Sequence, residues 1–146
     1  MANSVDSAKT PGWALLFACW LLATISSLGA LFLGEVMGLT PCVLCWYQRI
    51  CMFPLVLILA ASLFPLDVKV VRYAFPLAVT GLGIAIFHLL VAQGLIAETL
   101  SPCTQGVPCS AEQIEWFGFL TIPMLSVGAF AFITALLITT QLKASK

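Results

Sequence analysis

Apolar residues in this chain come in long unbroken runs rather than in alternating or striped patterns. Four runs can be drawn, at roughly 13–33, 46–64, 73–93 and 117–138, each long enough at about 1.5 Å rise per residue to cross about 30 Å of hydrocarbon. Runs of this length read as membrane-spanning helices. The expected fold is all-α: an integral membrane four-helix bundle with two short extracytoplasmic loops, residues 1–146 forming a single four-span domain. The first run exceeds the apolar core of about 7–15 residues found in secretory signals, and no small-x-small cleavage pattern follows it before Glu35. It is read as a retained span.

Composition strengthens the membrane reading. The 146 residues are 62% hydrophobic and 8% charged, too few charges to give a soluble domain its polar shell. Little chain remains outside the runs, so any chemistry must sit in the bundle or its short loops. A formal net charge of zero gives no sign of nucleic-acid binding.

Charge placement sets the orientation, because cytoplasmic loops carry the excess of Lys and Arg. Lys9 precedes the first run, Lys69 and Arg72 lie between the second and third, and Lys143 and Lys146 follow the fourth. The other two loops carry Glu35, Glu98, Glu112 and Glu115 and no basic residue. Both termini are therefore expected to be cytoplasmic, with residues 34–45 and 94–116 outside. Trp13, Trp46, Tyr47, Tyr73 and Trp116 fall at the ends of runs, where amphipathic rings favour the headgroup level.

This orientation puts Cys42, Cys45, Cys103 and Cys109 in or beside an oxidising compartment, where disulfides persist. Cys42-Val43-Leu44-Cys45 opens the second run, with Thr40 expected as N-cap and Pro41 in the first turn. Unpaired N–H groups and the positive end of the helix dipole lower a thiol pKa there. Arg49, four residues past Cys45, shares its helix face. An ionised residue within a span costs about 2.5–3.5 kcal/mol at mid-bilayer, so it calls for a reason. Snorkelling to the surface is one reason; service to the thiol is the other. A Cys-x-x-Cys can also be half a zinc site or a structural staple.

The second pair, Cys103 and Cys109, lies in a loop rich in turn formers. Ser110-Ala111-Glu112-Gln113 then reads as a capping box, so a helix is expected directly after Cys109, with Ile114, Trp116, Phe117 and Phe119 along the membrane surface. Alone, this pair would read as a loop staple. Beside the first pair it reads as a shuttle of reducing equivalents.

Cys42-Val43-Leu44-Cys45-Trp46-Tyr47-Gln48-Arg49 resembles the signature of the disulfide bond formation protein B family, and Cys109-Ser110 and Trp116-Phe117-Gly118-Phe119-Leu120-Thr121-Ile122-Pro123 support the likeness. The resemblance covers the chain from first span to last. It implies a bacterial inner-membrane protein dithiol:quinone oxidoreductase that supports disulfide formation in exported proteins. Its partner would be an extracytoplasmic thioredoxin-like thiol oxidase similar to DsbA, and its cofactor a ubiquinone or menaquinone from the membrane pool. By motif, Cys103 accepts attack from the partner, Cys109 resolves the mixed disulfide, and Cys42–Cys45 passes electrons inward. Arg49 and His88 would lie at the quinone. The close spacing of Cys103 and Cys109 resembles the compact branch of the family.

Cys19 and Cys51 are expected to be packing residues. Gly29, Gly81, Gly83 and Gly128 are expected to permit close helix approach, and Pro54, Pro76 and Pro123 to kink spans or open space. A haem bundle is disfavoured, since one histidine cannot supply paired axial ligands. A scaffold stapled by two disulfides remains a second alternative.

Overall fold

The computed structural model describes residues 3–64, 66–97, 100 and 121–145, with side chains described from residue 12 onward. Helix α1 runs Asn3–Leu31 and continues as a wider π-helical segment, Phe32–Val36. Helix α2 is Val43–Leu63, α3 is Val71–Ala92 after a short 3-10 turn at Val68–Val70, and α4 is Ile122–Ala144. All four helices contain segments long and apolar enough to cross a bilayer: Gly12–Val36, Val43–Leu63, Val68–Ala92 and Ile122–Ala144. The chain is a multi-pass, all-helical membrane bundle.

The helices close a ring: α1 packs on α2, α2 on α3, α3 on α4, and α4 back on α1. Lipid tails are as apolar as a leucine, so contact in such a ring comes from shape rather than from escape from water. The centre is accordingly made of small and branched residues that fit together. Leu16, Cys19 and Ala23 of α1 meet Leu55 of α2, Ala78 of α3 and Ile133 of α4, all fully buried. Large side chains such as Ile25, Leu57, Phe132 and Leu142 point outward, as a surface facing hydrocarbon requires. Cys19 and Cys51 lie in the core, as packing residues should.

Gly81 marks the tightest approach: a Cβ there would run into the ring of Phe130, so α3 and α4 meet through a missing side chain. Gly29, Gly83 and Gly128 do not behave this way, because a Cβ at any of them would meet nothing within 4 Å. Small size in a span therefore signals close packing only where a partner ring fills the space. Pro54 and Pro76 sit inside α2 and α3, whereas Pro123 stands in the first turn of α4, where its missing N–H costs nothing. That proline and the extended Thr121 cap start α4 at Ile122, later than the apolar run begins; residues 117–120 lie outside those described. At its other end α4 continues past 138, since Thr139 and Thr140 both donate to the Leu136 carbonyl at 2.8 Å and so cost the span no loose hydroxyl.

Trp13, Trp46, Tyr47 and Tyr73 are all exposed near helix ends, consistent with an interfacial belt. Trp116 lies outside the described residues.

Gly81→Ala should destabilise the detergent-solubilised protein by about 1–3 kcal/mol through overpacking, while Gly83→Ala should not. Thermal unfolding of the two variants side by side reads the difference; equal melting would mean that the Gly81–Phe130 contact does not hold α3 to α4.

Candidate functional site: a thiol pair between a histidine and a cavity

The link from α1 to α2 decides where the thiols stand. The π segment ends with Met37 N–H donating to the Phe32 carbonyl at 3.2 Å, and Gly38 then takes a positive φ of 67° that a side chain would oppose. Leu39 N–H bonds back to the Leu33 carbonyl at 3.2 Å, so the chain reverses tightly. Pro41 disfavours helical geometry at Thr40, and the cap falls on Cys42 instead, with φ −68° and ψ 168°. The first helical bond is Trp46 N–H to the Cys42 carbonyl at 3.1 Å. Thr40 is thus not the cap expected from sequence; the cap position falls on Cys42, whose thiol makes no capping hydrogen bond to the helix.

With Cys42 capping the helix, Cys45 stands at its third position, and the two sulfurs are hydrogen-bonded at 3.2 Å. Cys42 is buried at 1% exposure, whereas Cys45 is half-buried. Behind Cys42 lies His88 of α3, itself buried, with Nε2 3.6 Å from the sulfur. Gln48 Nε2 lies 3.1 Å from His88 Nδ1. When that amide donates, the ring proton resides on Nε2 and points at Cys42. Leu44 and Val91 seal this side of the site.

Cys42 stands just before the span, and its thiol is lowered from the usual 9.0 to about 4. The hydrogen bond from Cys45 is the largest cause; burial opposes it, and His88 and the Cys45 backbone N–H add to it. A thiolate so stabilised is a good leaving group in exchange.

Arg49 turns away from its own helix. Its guanidinium donates to the Ala30 carbonyl of α1 at 2.7 Å and lies 5.3 Å from the centre of the Trp46 ring. Gly34 gives it room, since a Cβ there would stand 3.1 Å from Nη2. A hydrogen bond to a charged group contributes about 1.5–3 kcal/mol and a cation–π contact about 0.5–1 or more, enough to offset the cost of a cation near a span end.

On the side of Cys45 away from His88, a cavity of about 580 Å³ opens between α1, α2 and α4. Cys45, Gln48 and Arg49 line it from α2, Ser27 and Gly29 from α1, and Gly128 from α4. The glycines that met no neighbour are therefore the ones that leave this wall open at two points, Gly29 and Gly128. His88, expected at the quinone from the resemblance, is not among the residues that line this cavity; its Nε2 faces the Cys42 sulfur. Gln48 was not singled out from sequence. The available signal was a polar amide inside an apolar run, three residues past Cys45, where an unpaired side chain would be costly. Cys103 and Cys109 lie outside the described residues.

Cys42, Cys45 and His88 bring three possible metal donors within 4.8 Å of one another. A closed tetrahedral zinc site needs a fourth, and no other Cys, His, Asp or Glu joins them among the described residues.

A helix-capping dithiol at the rim of a membrane bundle, open on one side to an apolar cavity, belongs with the membrane proteins of thiol–disulfide chemistry. The chain is a member of the disulfide bond formation protein DsbB family, whose family model matches residues 10–140. It is 50% identical over 127 residues to a probable disulfide formation protein of Metapseudomonas resinovorans, covering 86% of this chain and 88% of that one. Disulfide bond formation protein C of Bacillus subtilis is 47% identical over 118 residues, 81% of this chain and 86% of that one. A probable disulfide formation protein C 1 of Bacillus anthracis is 39% identical over 115 residues, 79% and 83% of the two chains. No solved structure matches. The resemblance read at the octapeptide is borne out, and with it a role in membrane disulfide formation.

The pH behaviour of Cys42 follows from its surroundings. Because its folded pKa lies below the ordinary thiol value, it stabilises the reduced fold at high pH, and that contribution fades as pH falls toward about 4. Thiolate ultraviolet absorbance of the reduced protein, taken as a difference from Cys42→Ser, should persist through neutral pH and vanish near pH 4. His88→Leu should raise the midpoint. A midpoint at the ordinary thiol value in the unsubstituted protein would refute this.

Proposed function

We propose that this protein is a quinone-dependent thiol oxidoreductase that reoxidises an extracytoplasmic thioredoxin-like thiol oxidase. The observation that carries the reading is the two-sided position of the dithiol: Cys42 against His88, and Cys45 on the wall of an apolar cavity with Arg49. Membership of the DsbB family supports it.

The cavity residues fit a quinone. Its volume suits a small ring with part of an isoprenoid tail. Its wall is apolar except for Cys45, Gln48 and Arg49 of α2, Ser26 and Ser27 of α1 and Ser126 of α4, a sparse polar set that suits a flat apolar ring with oxygens at its ends. Bound there, a quinone supplies an acceptor for two electrons and two protons.

The chain's own residues do the remaining work. Partner thiolate attacks Cys103 of a Cys103–Cys109 disulfide, Cys109 leaves, and the partner's second thiolate displaces Cys103. The loop dithiol then reduces a Cys42–Cys45 disulfide by the same exchange, with Cys42 leaving as the stabilised thiolate. Closing that disulfide again joins Sγ of the Cys42 thiolate to Sγ of Cys45 and releases two electrons toward the cavity together with the Cys45 proton; the second proton that the acceptor needs comes from water, which took it up when Cys42 left as a thiolate. His88 holds the Cys42 thiolate through the hydrogen on Nε2. Arg49 offers a fixed positive charge to oxygen that becomes negative during reduction. The favoured orientation places both cysteine pairs outside and both termini in the cytoplasm.

Purified protein given a reduced thioredoxin-like partner should reduce ubiquinone-1 or menadione, and Cys45→Ser should abolish that reduction. Turnover that survives Cys45→Ser, or zinc bound stoichiometrically at the dithiol, would overturn the reading. Arg49→Gln should lower quinone reduction at least tenfold with protein abundance preserved, by loss of a charge facing a developing anion. A partner whose second cysteine is replaced by serine should accumulate a mixed disulfide with Cys103, visible on non-reducing gels and lost in Cys103→Ser; no trapped species would exclude the proposed loop roles.

A further inference from the structure

Among the described residues the buried hydroxyls Ser62, Thr134 and Thr140 follow one habit, shared by the half-buried Thr24 and Ser126, and Ser27 breaks it. Thr24 donates to the Trp20 carbonyl at 2.7 Å, Ser62 to Leu59 at 2.7 Å, Ser126 to Pro123 at 3.0 Å and Thr134 to Phe130 at 2.7 Å. Each thereby satisfies its polar group within its own helix, as hydrocarbon surroundings require. Ser27 is more than nine-tenths buried, and its Oγ has no hydrogen-bond partner among the described residues. A buried hydroxyl left unpaired costs about 1–3 kcal/mol, so it calls for an explanation.

Its place in the fold supplies one. Ser27 lines the same cavity as Cys45 and Arg49. It stands on α1 three residues before Ala30, whose carbonyl anchors Arg49, and therefore about 4.5 Å further along the helix axis, away from the Cys42 end of the bundle. A para-quinone is a rigid ring with carbonyl oxygens at opposite ends. One end placed at Cys45 and Arg49 directs the other along the cavity, toward deeper bilayer.

We propose that Ser27 is the second polar anchor of the quinone, its hydroxyl donating to the carbonyl oxygen opposite the one that faces Arg49. The inference rests on the quinone reading of the cavity and adds a residue to it. Ser27 fixes which way the ring lies, and it favours acceptors that carry oxygens at both ends. On reduction that oxygen gains a hydrogen and becomes a hydroxyl, which the Ser27 oxygen can in turn accept. The same side chain then holds both oxidised and reduced forms while two electrons and one proton arrive from the dithiol and a second proton from water.

The test uses full-length protein in detergent with ubiquinone-1 as probe, comparing unsubstituted protein, Ser27→Ala and Ser27→Thr. Dissociation constants come from quenching of intrinsic tryptophan fluorescence, and carbonyl hydrogen bonding from infrared difference spectra with carbonyl-labelled quinone. Ser27→Ala should weaken binding about three- to tenfold, the worth of one hydrogen bond, and should move one carbonyl stretch to higher frequency. Ser27→Thr keeps a donor and should restore both. Thermal stability without quinone should stay level or rise in Ser27→Ala, because an unpaired polar group has been removed.

Unchanged affinity and an unchanged carbonyl spectrum in Ser27→Ala would overturn the Ser27 assignment while leaving the cavity reading intact. Failure of the unsubstituted protein to bind or reduce ubiquinone-1 would overturn both. A loss of melting temperature in Ser27→Ala that parallels its loss of affinity would mark Ser27 as structural and would likewise overturn the assignment.

Discussion

Hydrocarbon offers a buried polar group nothing to bond to, so a partner inside the protein is at a premium in this bundle. That constraint arranges the site. Arg49 reaches across to the Ala30 carbonyl and ties the start of α2 to the widened end of α1. Gln48 reaches the other way, to His88, and ties α2 to α3. The two residues are adjacent in sequence and both touch the cavity, but they tie α2 to different neighbours. Between them they fix the rotation of α2 about its axis, and the rotation decides which sulfur meets the histidine and which meets the cavity.

The same accounting explains why glycine has different uses along the chain. Gly81 is consumed by a ring from the neighbouring helix, whereas Gly34 yields its volume to a guanidinium. Gly29 and Gly128 yield theirs to open space on the cavity wall. A bundle filled as closely as its core everywhere would have no room beside Cys45.

Much of this was legible from the sequence, because span length and the Cys-x-x-Cys motif are local properties. The four helices fall where unbroken apolar runs demanded them, and the octapeptide from Cys42 to Arg49 pointed to the right family. What escaped was set by geometry between helices. The spacing of Cys45 and Arg49 said that they share a face, but only the fold could supply the Ala30 carbonyl from another helix. His88 was found as a lone ionisable residue in a span, yet nothing in its flanking residues told which wall it faces. Hydropathy alone does not register the extended Thr121 and the first-turn Pro123 from which α4 starts at Ile122. The cap fell on Cys42 rather than Thr40 for a similar reason: both are polar enough to serve, and the choice belonged to Pro41.

That Cys42 is a cap and not a helical residue has a mechanical consequence. Its backbone is extended while Cys45 is held in the first turn, and the sulfurs already lie at 3.2 Å. Closing that gap to the roughly 2.05 Å of a disulfide asks only for small side-chain rotations, with the helix left wound. The Cys42–Cys45 pair can therefore change oxidation state without asking α2 to unwind, which spares the helices around it a rearrangement at this step.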